Sequence, residues 1–176
     1  MSKCMTVLVS GGAGYIGSHM VLALLDAGHR PVIIDDFSTG HEKLVPSGVP
    51  LFRGNVGDSA LVAEICDSHK IDAVAHFAAS IVVPESVADP LKYYLNNTVN
   101  TTRFIAACVD AGIKRFVFSS TAAVYGNQDV TPIHEDANTQ PENPYGSSKL
   151  MSEMVLRESA AASDLSYVIL RYFNVA

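Results

Sequence analysis

The sequence has 176 residues, 48% of them hydrophobic and 17% charged, a composition that forms about one globular domain and excludes a disordered segment. The formal net charge is −6, with Lys and Arg scattered along the chain. This excludes a nucleic-acid footprint but not an anionic nucleotide, which backbone amides at a helix start can hold.

In chain order, apolar runs rich in Val, Ile and Phe alternate with segments of helical period. The N-terminus, M-S-K-C-M-T-V-L-V, moves straight into a strand with no secretory signal evident. Strands are predicted near residues 5–9, 31–35, 49–53, 73–76, 115–119 and 167–171, with helices between them. The first helix, 15–27, should end at Gly28, and a long helix ending near Ala111 should end at Gly112, because glycine takes the left-handed conformation of a helix C-terminus without strain. Right-handed crossovers between parallel neighbours then give an α/β fold with a doubly wound parallel sheet. The segment 126–144 bears Pro132, Pro141 and Pro144 and reads as a long polar surface loop leading into a helix.

The three cysteines, Cys4, Cys66 and Cys108, show no C-x-x-C pairing, so neither a disulfide framework nor a zinc site is signalled and a cytoplasmic, reducing setting fits. Cys66 and Cys108 lie among apolar neighbours and read as core residues. The six histidines lack metal-ligand spacing, and no metal is expected. The most apolar stretch, 71–83, is interrupted by Asp72, His76 and Ser80 and is too short for a membrane span.

Residues 7–18 read V-L-V-S-G-G-A-G-Y-I-G-S. They place Gly11, Gly14 and Gly17 at three-residue intervals between a strand and a helix. Such glycines permit the tight turn, the approach of a pyrophosphate and close helix–strand packing, while the helix N-terminus offers free N–H groups. An acidic residue at the end of the next strand completes a dinucleotide site. Asp35 meets this requirement, with Asp36 alongside, and a carboxylate there repels a 2′-phosphate, so NAD is expected over NADP. The bland alternative is that Asp35 merely begins a turn.

Residues 143–150 read N-P-Y-G-S-S-K-L, with Tyr145 and Lys149 at i and i+4 on one helix face. A neighbouring cation and a positively charged nicotinamide would favour the phenolate, letting Tyr145 exchange a proton with a sugar hydroxyl. Thr121 lies at the C-terminal sheet edge and completes a Thr-Tyr-Lys set. The competing readings are a solvated helix face and a strand terminated by Ser119, Ser120 and Thr121.

With H-F-A-A-S, P-E-S-V, S-S-T-A-A-V-Y-G and L-R-Y-F-N, these motifs resemble the extended short-chain dehydrogenase/reductases, and within them the UDP-glucose 4-epimerases. The resemblance spans the whole chain and implies an NAD-binding Rossmann domain over residues 1–176, with the C-terminal substrate region largely absent. It implies interconversion of UDP-glucose and UDP-galactose by oxidation and re-reduction at carbon 4, in galactose metabolism.

By the same resemblance, Tyr145 is the base, Thr121 its hydrogen-bonding partner and Lys149 the residue that tunes Tyr145 and binds ribose. Tyr15 and Ile16 contact the pyrophosphate. Asp35, Asp36 and the loop of Phe37, Ser38, Thr39 and Gly40 surround the adenosine, and Asn55 and Val56 the adenine. Phe77, Ala78, Ala79, Ser80 and Ile81 with Asn96 meet the remainder of NAD; Phe173 lies near the nicotinamide and Asn174 contacts the UDP-sugar. Ile81 stands where some epimerases carry lysine, and Thr121 where serine is common. Ala122 and Ala123 stand where relatives that dehydrate or decarboxylate carry an acid, which disfavours those reactions. Epimerases of glucuronate, xylose or N-acetylhexosamine nucleotides remain open, as does a non-catalytic NAD-binding fragment. The helices over 93–111 and 147–161 resemble a pair through which such enzymes form homodimers, although a sheet-covering role gives the same apolar pattern.

Overall fold

The computed structural model describes residues 4–175. Residues 1–3, the start of the stretch in which no secretory signal is evident, and residue 176 lie outside the described residues.

Six strands form one parallel sheet: β1 (Thr6–Ser10), β2 (Arg30–Asp35), β3 (Leu51–Arg53), β4 (Ala73–His76), β5 (Arg115–Thr121) and β6 (Ser166–Tyr172), in the order β3-β2-β1-β4-β5-β6. The order reverses between β1 and β4, and the crevice above that point is where doubly wound sheets hold ligands. All six expected strands are present. β3 is shorter than expected, while β5 continues to Thr121 because Ser120 and Thr121 pair with Arg171 and Tyr172 of β6.

Successive strand residues point to opposite faces, and both faces are covered. Leu8, Ile34, Val74, Phe116 and Phe118 pack with α2 (Ser59–His69), α5 (Asn100–Asp110) and α6 (Pro144–Ala161), through Ile65, Phe104 and Leu156. Val7, Val9, Ile33 and Ala75 pack on the other face with Val21 of α1 (Tyr15–Asp26). Cys66 and Cys108 are buried, as their apolar neighbours predict. Among the described residues no helix is long and apolar enough to cross a membrane.

The C-termini of α1 and α5 are closed the same way. Gly28 and Gly112 have φ of +76° and +74°; His29 N–H donates to Leu24 and Ile113 N–H to Cys108, which satisfies carbonyls the helices leave free. One feature was not predicted. The run expected as a single helix over 93–111 has α3 (Val83–Ala88) and α4 (Pro90–Tyr93) before it, and a π-helical turn, Tyr94–Val99, leads into α5. The widened turn carries Asn97, whose side chain is fully engaged with neighbouring elements.

Candidate active site

The turn after β1 is built by backbone. Gly11 has φ +70° and donates to the Ile34 carbonyl at 2.9 Å, and Gly14 N–H donates to the Gly11 carbonyl at 3.0 Å. A Cβ on Gly11 would lie 2.7 Å from Ala78 N, and one on Gly17 would run into the Gly11 carbonyl oxygen. The turn therefore has no room for side chains. No side chain caps α1 at Gly14, so the amides of its first turn stay available to an anion, and that end of the helix carries partial positive charge.

The two acids after β2 divide the work. Asp35 is buried, and its carboxylate accepts from Ala13 N–H at 2.9 Å and Phe37 N–H at 2.8 Å, tying the glycine turn to the end of β2. Asp36 is exposed and accepts from Ser38 N–H and from Asn55 Nδ2, each at 3.0 Å. Burial pushes the Asp36 carboxyl upward, but the hydrogen bonds from Ser38 and Asn55 outweigh it and hold the group below the usual carboxylate range.

Across the crevice, α6 begins with Asn143, whose side chain accepts from Gly146 N–H at 2.9 Å, and Pro144 in the first turn. That start places Tyr145, whose ring meets Tyr93 edge-on at 6.4 Å. Lys149 follows one turn later, 3% exposed, with Nζ donating to the Ser119 carbonyl at 2.7 Å and lying 4.8 Å from the Phe118 ring centroid. Desolvation draws its pKa down to about 7, against a smaller upward pull from Glu153. The Thr121 hydroxyl accepts from Ala123 N–H at 3.1 Å and so keeps its own proton to donate.

Burial raises the Tyr145 phenol above the ordinary tyrosine value, and the Thr121 hydroxyl only partly offsets it. In the unliganded chain, therefore, the phenol is not activated by Lys149 alone. The ammonium is bonded to a carbonyl under the sheet edge, and loss of hydration dominates at the phenol.

The two halves face each other over a cleft of about 570 Å³ lined by Gly11, Gly14, Tyr15, Ile16, Gly17, Thr39, Phe77, Ala79, Ile81, Thr121, Tyr145, Lys149, Phe173 and Asn174. It continues into a narrower cavity of about 80 Å³ lined by Asp35, Asp36, Ser38, Gly40, Asn55, Val56, Ala78 and Asn96. Gly11, Gly14, Thr39, Phe77 and Ala79 border both, so the two form one groove.

Two residues expected at the cofactor do not line the groove. Phe37, at φ +57°, turns its ring under the Arg53 guanidinium, 4.4 Å away. Ser80 is bonded at each polar atom: its N–H donates to Asn97 Oδ1 at 2.8 Å, its carbonyl accepts from Asn97 Nδ2 at 2.9 Å, and its hydroxyl accepts from Asn96 at 3.0 Å, leaving that hydroxyl's proton free to donate. Ser80 is thus a tether between the loop after β4 and the π-helical turn.

A glycine turn, an acid at the end of β2 and the Thr/Tyr/Lys set thus share one groove. The model of the NAD dependent epimerase/dehydratase family matches residues 7–176. The chain belongs to that family.

A UDP-glucose 4-epimerase of Azospirillum brasilense is 58% identical over 170 residues, covering 97% of this chain and 49% of that protein. Among solved structures, the UDP-glucose 4-epimerase of Brucella ovis in complex with NAD superposes with a TM-score of 0.94 at 43% identity, covering 97% of this chain and 52% of that one. The UDP-Glc/GlcNAc 4-epimerase of Campylobacter jejuni superposes with a TM-score of 0.93 at 44% identity, covering 98% and 54%. The chain therefore spans about half the length of the relatives it matches.

Several residues around this family's groove escaped sequence reasoning. Asn97, 1% exposed, bonds Ser80 and donates to Ser148 Oγ at 3.1 Å, while its carbonyl accepts from Ser152 at 3.0 Å. His76, read only as a core or surface residue, is 1% exposed and bonds Ser10 at 2.5 Å and Thr101 at 2.9 Å. Desolvation, helped by the Lys149 charge, lowers its pKa to about 3, so it is neutral. Glu153 is fully buried behind Lys149; its place at i+4 from Lys149 was the one signal that could have found it.

Proposed function

We propose that this chain is the nucleotide-binding and catalytic domain of a UDP-sugar 4-epimerase, interconverting UDP-glucose and UDP-galactose with NAD, with a substrate-binding domain outside these residues. The observation that carries this reading is that Thr121, Tyr145 and Lys149 line the same cleft as the glycine turn. The groove fits a dinucleotide: the turn packs too closely for side chains at Gly11 or Gly17, the first amides of α1 carry no side-chain cap, and Asp36 presents an exposed carboxylate of lowered pKa at the narrow end. That charge disfavours a 2′-phosphate, so NAD should bind more tightly than NADP.

When bound, NAD supplies the hydride acceptor at carbon 4 of the hexose and the donor that restores it. Tyr145 takes the proton of the 4-hydroxyl as the carbon-bound hydrogen leaves, and returns it to the keto oxygen in the reverse step. Thr121 donates a hydrogen bond to that oxygen, stabilising the charge that develops there. Lys149 holds ribose, and its ammonium favours the phenolate once the site fills. Burial shifts the phenol upward, so the phenolate depends on the positive charges of Lys149 and of the bound nicotinamide.

Heat-release of bound nucleotide from the full natural chain carrying this sequence should yield NAD, and the chain should convert UDP-galactose to UDP-glucose. No nucleotide and no conversion would overturn the reading. The N-acetylhexosamine pair belongs in the same assay, since the Campylobacter relative is named for both sugars. A homodimer is part of the proposal: Leu95, Met151 and Met154 leave apolar surface exposed on the π-helical turn and α6. Light scattering that shows only monomer at high concentration would remove that part.

A further inference from the structure

On α6, Tyr145, Lys149, Glu153 and Arg157 recur at four-residue intervals and form one stripe. Glu153 is fully buried, a position that is costly for a carboxylate unless it is paired. Arg171 grips it as a fork, Nε to Oε1 at 3.0 Å and Nη2 to Oε2 at 2.6 Å. Arg157 adds a bond at 3.0 Å, and the Ser120 hydroxyl donates to Oε1 at 2.5 Å. Arg171 in turn stacks over the Tyr125 ring at 4.7 Å.

One carboxylate therefore joins three elements. Ser120 precedes Thr121 at the end of β5, Arg171 precedes Phe173 and Asn174 at the end of β6, and α6 carries the tyrosine and lysine. Lys149 makes no ion pair among the described residues; its bonded partner is a carbonyl. The titratable groups around it are His76 from β4, held neutral, Tyr145, whose phenol burial shifts upward, and Glu153, which is itself bonded to the cations Arg157 and Arg171. Glu153 is the one anion in that set, and it pulls against the desolvation of Lys149.

We infer that Glu153 is a positioning residue of the site: its carboxylate clamps the ends of β5 and β6 onto α6 and is the counter-charge that holds Lys149 as an ammonium. The functional part of this inference rests on the proposed use of Tyr145 and Lys149; the charge coupling does not.

The test is the protonation midpoint of Lys149, followed by NMR of carbon-labelled lysine side chains against pH. Glu153→Gln should lower the proton affinity of Lys149 about tenfold, one pH unit, and Glu153→Asp, which keeps the charge, should restore most of it. An unchanged midpoint in folded Glu153→Gln overturns the inference, because a merely structural clamp would not move it. Should Glu153→Gln not fold, Arg157→Gln decides. Removing that half-exposed cation frees the carboxylate's field and should raise the affinity of Lys149 about two- to threefold; no rise overturns the inference. In the active enzyme the pH profile of kcat should move with the lysine. A lysine shift in a protein that epimerises nothing would leave this inference standing and remove the proposed function.

Discussion

The two walls of the groove are made of different materials. The β1–β2 wall is backbone: a glycine turn, free helix amides and a buried Asp35 that accepts two backbone N–H groups. The β5–α6–β6 wall is side chain: a buried lysine at a carbonyl, a buried glutamate forked by an arginine, and hydroxyls at the strand ends. Backbone can hold a phosphate without titrating, so the glycine turn should be insensitive to pH and intolerant of any added atom. Side chains that must gain and lose protons need shifted pKa values, so the second wall should tolerate small changes of shape and respond strongly to changes of charge.

The largest effect expected is on chemistry alone. Tyr145→Phe should cut kcat of the active enzyme about a thousandfold, ~4 kcal/mol, while nucleotide affinity stays close to that of the parent. A loss of nucleotide binding to match would show that the walls are not separable. Gly17→Ala attacks the other wall. Its new methyl collides with the Gly11 carbonyl, so it should cost about 3 kcal/mol of stability and abolish measurable NAD binding by calorimetry.

His76 sharpens the comparison from beneath. Its folded pKa of about 3 lies below the ordinary value of 6.5, so between these values the unfolded chain binds a proton that the native state refuses. Stability should fall as the pH drops through that window, by about 1.4 kcal/mol per pH unit from this group. His76→Gln should remove that part of the slope in urea titrations; an unchanged slope contradicts a buried neutral imidazole. Smallest of all is Gly28→Ala. The site has φ +76° and open space around it, so left-handed strain alone should cost about 1 kcal/mol, with nucleotide affinity unchanged.

The same contrast explains what could be read in advance. The strands and the glycine turn were legible because their signals are periodic or local: runs of Val and Ile, three glycines between strand and helix, Gly28 and Gly112 after helical patterns. Tyr145 and Lys149 were legible as an i, i+4 pair. The π-helical turn was not: the residue it buries, Asn97, bonds Ser80, 17 positions away, and such a bond leaves no period. Phe37 and Ser80 were placed at the cofactor by the family resemblance; the contacts the structure gives them, with Arg53 and with Asn97, carry no signal in the sequence. Glu153 has surface-like character in a sequence, and its burial is made tolerable by Arg157 one turn on and by Arg171 and Ser120 from distant strands.

The central claim is that hydrogen leaves carbon 4 of the sugar and returns to it within one groove. UDP-galactose deuterated at carbon 4, turned over in ordinary water by the full natural chain, tests it most directly. The account predicts UDP-glucose that keeps the deuterium at carbon 4. Product that has exchanged the label for solvent hydrogen would contradict it.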